Sequence, residues 1–384
     1  MKPKVILHIG QSKTGTSAIQ SFLTLSSKQL REKGIVYPMV TNHGMPLALG
    51  SHNAMADALL GVSTYPFLSA EEYFSQFWRE AEKKKSHTMI LSAEHLFGGQ
   101  PRLWDISSVS EYWERYEEKA YRLSELLAGA QVELFAHLRP QIDWLSSTIS
   151  HTIKIEQLAS HKKIYQSDDQ FFNMIKPSLD YNRIISIWAD QVRAEKVTIS
   201  PYIKKSMIGG NSVVDFLTRT GINTDLFPEQ RMHRKINESI TREYIEVKKR
   251  LNEIRRDKDD ERLVVHCLKR LSRNSVLGTY YKIEESVVND AKVYCDAINK
   301  ELVKNFLPGE QFSALSEYRG DDQEALSQAI IDQAMDNFMA EYGTVRSKIW
   351  RTKSRVKSTL RTRARPVHSA LHQLKRLYRV ASRM

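Results

Sequence analysis

The sequence predicts an α/β fold in which helices flank a parallel sheet, followed by a mainly helical C-terminal region. Short β-rich segments alternate with amphipathic helical segments through the first 240 of the 384 residues, as in a parallel sheet covered on both faces. A glycine-containing turn at residues 10–17 separates the first strand from the first helix. After about Asn237 the helical pattern continues without a convincing strand.

Each predicted element follows from its local pattern. Runs of apolar and β-branched residues predict strands at 4–9, 35–37, 88–92, 132–138 and 197–200. Apolar residues spaced by three and four predict helices at 16–33, 69–85, 110–128, 141–154, 179–192 and 212–220. Residues 43–61 predict a loop and then a short helix. The helix at 69–85 opens with the capping-box pattern Ser69-Ala-Glu-Glu72.

The C-terminal third predicts helices alone, at 238–254, 260–271, 284–305 and 327–339. We therefore expect three parts: an α/β core at 1–240, a helical extension packed on the core at 241–343, and a basic amphipathic tail at 344–384. No stretch reaches the roughly 20 apolar residues that span a bilayer. The chain opens without a signal-peptide pattern, and the two cysteines, Cys267 and Cys295, lack metal-ligand companions. These features predict a cytoplasmic protein with free thiols.

The positive charge of the chain is concentrated in the tail. The net charge is +12, and residues 344–384 contain thirteen Lys and Arg and no Asp or Glu. Subtracting these thirteen from the 57 basic residues leaves 44 against 45 acidic ones, a balance of −1 for residues 1–343. The main body therefore gives no electrostatic argument for nucleic-acid binding.

The turn at residues 10–17, Gly-Gln-Ser-Lys-Thr-Gly-Thr-Ser, has the context of a phosphate-binding loop. Backbone N–H groups in such a turn, together with the positive end of the following helix, converge on an anion. Gly10 and Gly15 have the spacing of the nucleoside-triphosphatase loop, but Thr16 stands where that loop requires lysine. The lysine is Lys13, inside the loop. This position, and the absence of a clear Walker-B strand end, argue against ATP or GTP hydrolysis.

The segment from His8 to Gln20 resembles the 5′-phosphosulfate loop, K-[TS]-G-T-[TS], of sulfotransferases that use 3′-phosphoadenosine 5′-phosphosulfate (PAPS). It is most similar to the bacterial carbohydrate-type members. The resemblance implies a P-loop-type fold and sulfuryl transfer from PAPS, as co-substrate, to a saccharide or glycolipid hydroxyl, with no metal required. It also implies donor contacts from the loop, by Lys13, Thr14, Gly15, Thr16 and Ser17.

The resemblance extends to a site for the donor's 3′-phosphate. The family uses an arginine at the end of a later strand and a serine eight residues further on, which correspond here to Arg139 and Ser147. A guanidinium at the carboxyl edge of a parallel sheet can bind a phosphate in bidentate fashion. Ser146 is an alternative if the helix register differs by one. Arg234 and Lys235 fall where the family has a further donor segment, although its usual pattern is not intact here.

Three catalytic residues are predicted. Lys13 is suited to neutralise the leaving phosphate oxygen, as in phosphoryl transfer, where positioning and electrostatics dominate. Glu94 follows the strand at 88–92 and is the first candidate for the base that takes the acceptor proton, since glycan sulfotransferases use a glutamate. His52 is the alternative base, since small-molecule members use a histidine.

The tail carries an apolar helical stripe opposite a basic face, interrupted near Pro366. This pattern favours association with an anionic membrane surface on the inner face of the membrane. A solvated tail and the docking of an anionic polymer are the alternatives. Two other functions stay open from the sequence: a P-loop kinase-like phosphotransferase, and a non-catalytic protein of this fold that binds glycans or membranes.

Overall fold

The computed structural model describes residues 2–42, 45–47, 50–62, 67–99, 101–159, 163–233, 239–254, 256–307 and 325–347. The chain divides into two compact units. The first contains residues 1–156, 162–238 and 280–325, and the second contains 157–161, 239–279 and 326–384. Residues 280–325, expected in the helical extension, thus belong to the unit that holds the sheet. Most of the tail at 344–384 lies outside the described residues.

The first unit is built around a parallel sheet. Its strands are β1 (Lys4–His8), β2 (Ile35–Val36), β5 (Thr88–Ser92), β6 (Val132–Leu138) and β7 (Lys196–Pro201), and the hairpin strands β3 (Val40–Asn42) and β4 (Met45–Leu47) pair separately. The order in the five-stranded sheet is β2-β5-β1-β6-β7, and every pair in it is parallel. The predicted fold class is therefore confirmed.

Helices cover both faces of this sheet. The helices described in this part of the chain are α1 (Thr16–Leu25), α2 (Ser27–Glu32), α3 (Asn53–Ala58), α4 (Ala70–Lys83), α5 (Glu94–Phe97), α6 (Val109–Leu127), α7 (Gln141–Ala159), α8 (Asp168–Ile175), α9 (Tyr181–Gln191), α10 (Ser212–Arg219), α11 (Glu229–Met232) and α14 (Glu285–Phe306). The single helix predicted at 16–33 is wrong, because Ser26 leaves helical geometry and separates α1 from α2. Serine favours such breaks, since its hydroxyl competes for backbone hydrogen bonds.

The core forms two apolar layers, one on each face of β1. Val5 and Leu7 pack into one layer, which includes Trp188 of α9, and Ile6 packs into the other, which includes Phe216 of α10. This alternation follows from the period of two in a strand. In the register of the sheet His8 is aligned with Ser92 of β5 and with Phe135 of β6. The segments that follow β1, β5 and β6 therefore emerge side by side at the carboxyl edge.

A buried polar cluster supports the α10 side of the sheet. The Asp215 carboxylate of α10 accepts hydrogen bonds from His137 Nε2 (2.9 Å) and Ser200 Oγ (2.6 Å) through Oδ2. Through Oδ1 it accepts from the Ile208 amide (2.8 Å) and Arg219 Nε (2.9 Å). Burial favours a raised pKa for Asp215, but these four donors together hold its pKa well below the ordinary value. The ionised carboxylate thus ties β6 and β7 to α10.

The second unit is helical in its described part, with α12 (Arg242–Asn252), α13 (Lys258–Ser272) and a helix over 328–347. Its interior holds a fully buried ion pair between Lys248 Nζ and Glu261 Oε1 at 2.7 Å, with Arg256 Nη1 3.7 Å from Glu261 Oε2. Within the part of the chain that the structure describes, no helix has both the length and the apolar character needed to cross a membrane.

Candidate functional site

The loop between β1 and α1 has the geometry of an anion cradle. Gly15 adopts a φ of +77°, and a Cβ there would lie 2.4 Å from Ser212 Oγ, so the position requires glycine. Lys13 also has a positive φ, 68°, which is uncommon for a residue with a side chain and is typical of functional loops. No side chain caps the start of α1. The Ala18 amide donates to the Gly15 carbonyl at 2.9 Å, whereas the Thr16 and Ser17 amides have no such bond among the described residues and are available to a ligand.

Hydrogen bonds join this loop to the turn between β6 and α7. Buried Gln11 donates from Nε2 to Tyr181 Oη (2.6 Å) and accepts through Oε1 from the Arg139 amide (2.8 Å). Tyr181 Oη donates to the Arg139 carbonyl (3.0 Å), and Trp144 Nε1 donates to the Ser12 carbonyl (3.0 Å). The loop and the Arg139 backbone are therefore held in a fixed relation, although they lie more than 120 residues apart.

Lys13 and Arg139 are half-buried cations, and neither forms an ion pair with a carboxylate among the described residues. Burial lowers the pKa of Lys13 to about 8, assisted by the positive charges of Lys154 and Arg139 and opposed by the negative charge of Glu94. Partly desolvated cations are costly unless a counter-ion is present. Two such cations on one hydrogen-bonded framework therefore favour an anionic ligand.

The Arg139 guanidinium contacts Tyr280, a residue that the sequence analysis did not identify. Arg139 Nη2 donates to Tyr280 Oη at 3.3 Å, and the guanidinium carbon lies 5.7 Å from the ring centroid. Tyr280 Oη in turn donates to Asp143 Oδ2 at 3.3 Å. This contact joins positions 141 residues apart, and no local sequence signal marks it. Most of the five N–H donors of the guanidinium stay available to a phosphate.

Helix α7 carries the predicted serine and a second cation. Ser146 is buried and donates from Oγ to the Tyr281 carbonyl (2.7 Å), whereas Ser147 is half-buried and its hydroxyl has no hydrogen-bond partner in the described part of the chain. This arrangement favours Ser147 over Ser146 as a ligand contact. Lys154, seven residues after Ser147, lies on the same helix face and affects the pKa of Lys13. The spacing of seven residues between Ser147 and Lys154 is the sequence feature that could have identified Lys154 as a neighbour of the site.

Glu94 lies beside the loop. It is the first residue of α5, separated from β5 by Ala93, and its half-buried carboxylate accepts a hydrogen bond through Oε2 from Thr16 Oγ1 at 2.8 Å. Thr16 opens α1 at the end of the loop. Oε1 has no hydrogen-bond partner among the residues the structure describes. The carboxylate can therefore receive a proton next to the anion cradle.

His52 lies in a different environment. It is 3% exposed, its Nδ1 accepts from the Ser92 amide (3.0 Å), and its Nε2 donates to the Pro38 carbonyl (3.0 Å). Burial lowers the pKa of His52 to about 4, although the Pro38 carbonyl opposes this shift. Both ring nitrogens are thus engaged with backbone, which leaves neither for a substrate hydroxyl. The geometry favours Glu94 over His52 as a base.

Arg234 and Lys235 lie outside the described residues. Among the residues that are described, no group of three or more His, Cys, Asp or Glu side chains could hold a metal ion.

Comparisons with known proteins find similarity among solved structures. No protein-family model matches the chain, and no curated protein matches it. Among solved structures, the crystal structure of a sulfotransferase from Alicyclobacillus acidocaldarius is similar, with 11% sequence identity and a TM-score of 0.40. The alignment covers 83% of this chain and all of that chain. What the site can do chemically therefore has to follow from its own residues.

Proposed function

We propose that this protein is a sulfotransferase that moves the sulfuryl group of PAPS to a hydroxyl of a saccharide or glycolipid. The main support is that Lys13 and Arg139 are cations without an ion-pair partner among the described residues. The hydrogen bonds of Gln11 and Tyr181 join the loop that contains Lys13 to the backbone of Arg139. A donor with anionic groups at both its 5′ and 3′ positions suits two separate cations on one rigid framework.

The donor's two anionic ends have distinct partners in this proposal. The 5′-phosphosulfate binds to the N–H groups of the loop and the first turn of α1, with Lys13 and the hydroxyl of Ser17. Thr14 and Thr16 contribute backbone N–H groups, since their hydroxyls donate to the Gln11 carbonyl and to Glu94. The 3′-phosphate binds to Arg139 and Ser147. Arg234 and Lys235 are further proposed donor contacts.

In the reaction, the acceptor oxygen attacks sulfur, an S–O bond to the acceptor forms and the S–O bond to the phosphate breaks. Glu94 takes the acceptor proton, and adenosine 3′,5′-bisphosphate leaves. Lys13 neutralises the charge that develops on the leaving phosphate oxygen. A single preorganised donor of this kind contributes roughly 3–4 kcal/mol to transition-state stabilisation.

The test is sulfuryl transfer itself. Radiolabelled PAPS is incubated with the full chain and a panel of saccharides and glycolipids, and release of adenosine 3′,5′-bisphosphate is measured with transfer of label. We expect the rate of transfer to fall at least about a hundredfold in Glu94→Gln. It should be retained in a matched carboxylate variant away from the site, Glu229→Gln. A P-loop kinase predicts phosphate transfer from ATP with Mg²⁺. A non-catalytic protein predicts donor or glycan binding without turnover.

The tail at residues 344–384 is proposed to bind an anionic membrane surface, which places the enzyme at the inner face of the membrane. The support is its thirteen basic residues without an acidic one, together with its apolar helical stripe. Sedimentation with anionic liposomes, for the full chain and for a chain ending at residue 343, tests this. Equal sedimentation of the two chains would contradict it.

A further inference from the structure

Lys119 of α6 is a fully buried lysine whose ammonium group faces the end of α5. Its Nζ donates to the His95 carbonyl at 3.0 Å and lies 3.4 Å from the Gly98 carbonyl. The ammonium also lies over the rings of Tyr116 and Trp188, 4.4 and 5.9 Å from their centroids. A lysine is almost never fully buried without specific interactions, because desolvation of the ammonium is costly.

Helix α5 depends on this environment. With four residues, Glu94–Phe97, it is far too short to be stable as an isolated helix. Its last carbonyl groups need partners from elsewhere. Lys119 binds the carbonyls of His95 and Gly98, while Tyr116 Oη lies 2.9 Å from the Leu96 carbonyl and 3.1 Å from the Phe97 carbonyl. Two side chains one turn apart on α6 thus cover four successive carbonyl groups.

Hydrogen bonds also hold the capping residue Tyr116 and the opposite end of α5. Trp188 Nε1 donates to Tyr116 Oη at 2.9 Å, which orients the phenol. Asp57 of α3 pairs with His95 Nδ1 at 2.9 Å. Glu94 accepts from Thr16 Oγ1 at the other end of the helix. A lysine at the C-terminal end also complements the helix dipole. Glu94 therefore lies between the phosphate-binding loop and a peptide segment whose carbonyl groups are capped.

We propose that Lys119 is a positioning residue for sulfuryl transfer: by capping the carbonyl groups of α5 it holds the Glu94 carboxylate against the phosphate-binding loop. The proposal rests on the proposed function, with Glu94 as the base. An apolar residue of similar length would fill the space but leave the His95 and Gly98 carbonyls without this donor. The carboxylate would then lose its fixed distance to the reacting hydroxyl, and catalysis is sensitive to displacements of about 1 Å.

Lys119→Met is the direct test, because methionine has similar length and no donor. We expect kcat to fall about tenfold to a hundredfold, with the Kd for adenosine 3′,5′-bisphosphate unchanged within about twofold. The matched control is Arg122→Met, which removes a cation one turn further along α6. Among the described residues the ion pair of Arg122 is with Glu71, away from α5. The control should retain kcat within about twofold.

A double-mutant cycle with Glu94→Gln separates positioning from a general structural effect. If Lys119 acts through Glu94, adding Lys119→Met to Glu94→Gln lowers the residual rate by less than about twofold. An undiminished further loss would overturn the proposal, and so would a parallel loss of bisphosphate affinity. Tyr116→Phe, which removes the other capping group, gives the same test by a milder change if Lys119→Met does not fold. If the proposed function itself is wrong, the unsubstituted protein will already fail to bind the bisphosphate or to transfer the sulfuryl group.

Discussion

Replacement of Lys13 by methionine tests the chemistry of the phosphate loop in most detail. Methionine keeps the length of the side chain but removes the ammonium group. The φ of 68° strains methionine about as much as lysine, so the loop should keep its backbone. The expected loss is that of one preorganised donor to developing charge, about 2.7–4 kcal/mol, or about a hundredfold to a thousandfold in kcat.

The pH dependence of kcat/KM gives a second test of Lys13, in which the direction of the change is predicted. Since the pKa of Lys13 is lowered from 10.5 to about 8, Lys13 is protonated in about nine-tenths of the molecules at pH 7. As the pH rises through 8 the free enzyme loses this charge, and kcat/KM should fall. In Lys13→Met that alkaline decrease should be absent.

Stability should change in the opposite direction over the same window. Because the folded-state pKa lies below the unfolded one, the native state binds fewer protons than the unfolded state between about pH 8 and 10.5. The free energy of unfolding should therefore rise there by up to about 3 kcal/mol relative to Lys13→Met. Urea unfolding and initial-rate assays at pH 6–10.5 measure both trends. A loss in kcat below tenfold, or an unchanged alkaline decrease in the variant, would refute the role of Lys13.

Three further predictions concern separate parts of the molecule. Tyr280→Phe should weaken binding of adenosine 3′,5′-bisphosphate about threefold to tenfold in calorimetry, because one hydrogen bond to Arg139 is lost, while Tyr121→Phe, at an exposed position of α6, should leave this affinity unchanged. Gly15→Ala should lower the free energy of unfolding by at least about 1 kcal/mol and weaken the bisphosphate, since its Cβ meets Ser212 at a positive φ; equal thermal stability of the two proteins would contradict this. Asp215→Asn should destabilise the protein above about pH 4 but flatten the loss of stability below it, because the depressed pKa of Asp215 stabilises the fold above its unfolded pKa and this is lost on protonation. Urea unfolding at pH 3–7 checks the last result, and parallel curves would refute it.

The sheet could be predicted because its strands are short, buried and bounded by clear turn signals. The predicted ranges 88–92 and 132–138 coincide with β5 and β6, and the capping box at Ser69 and Glu72 forms as expected. The break at Ser26 was missed, because one serine pair weakens a helical pattern without cancelling it. The hairpin of β3 and β4 was missed too, since three-residue strands carry little periodicity.

The site was harder to predict where it depends on tertiary contacts. Lys13 and Arg139 follow from local motifs at strand ends, where a parallel sheet places ligands. Tyr280 and Lys119 have no such signal, because their roles come from partners 141 and 24 residues away in sequence. The choice between Glu94 and His52 needed the structure, since residue type alone does not show that both His52 nitrogens are bound to backbone.

Recognition of the donor's 3′-phosphate is tested most directly by calorimetric titration with adenosine 3′,5′-bisphosphate and with adenosine 5′-monophosphate, in the unsubstituted protein and in Arg139→Ala. We predict that the bisphosphate binds at least about thirtyfold more tightly than the monophosphate, and that Arg139→Ala removes this difference. The expected loss of about 2–5 kcal/mol is that of a desolvated charge pair. Binding of ATP without binding of the bisphosphate, or an equal loss for both ligands in Arg139→Ala, would contradict the proposal that Arg139 binds the 3′-phosphate of PAPS.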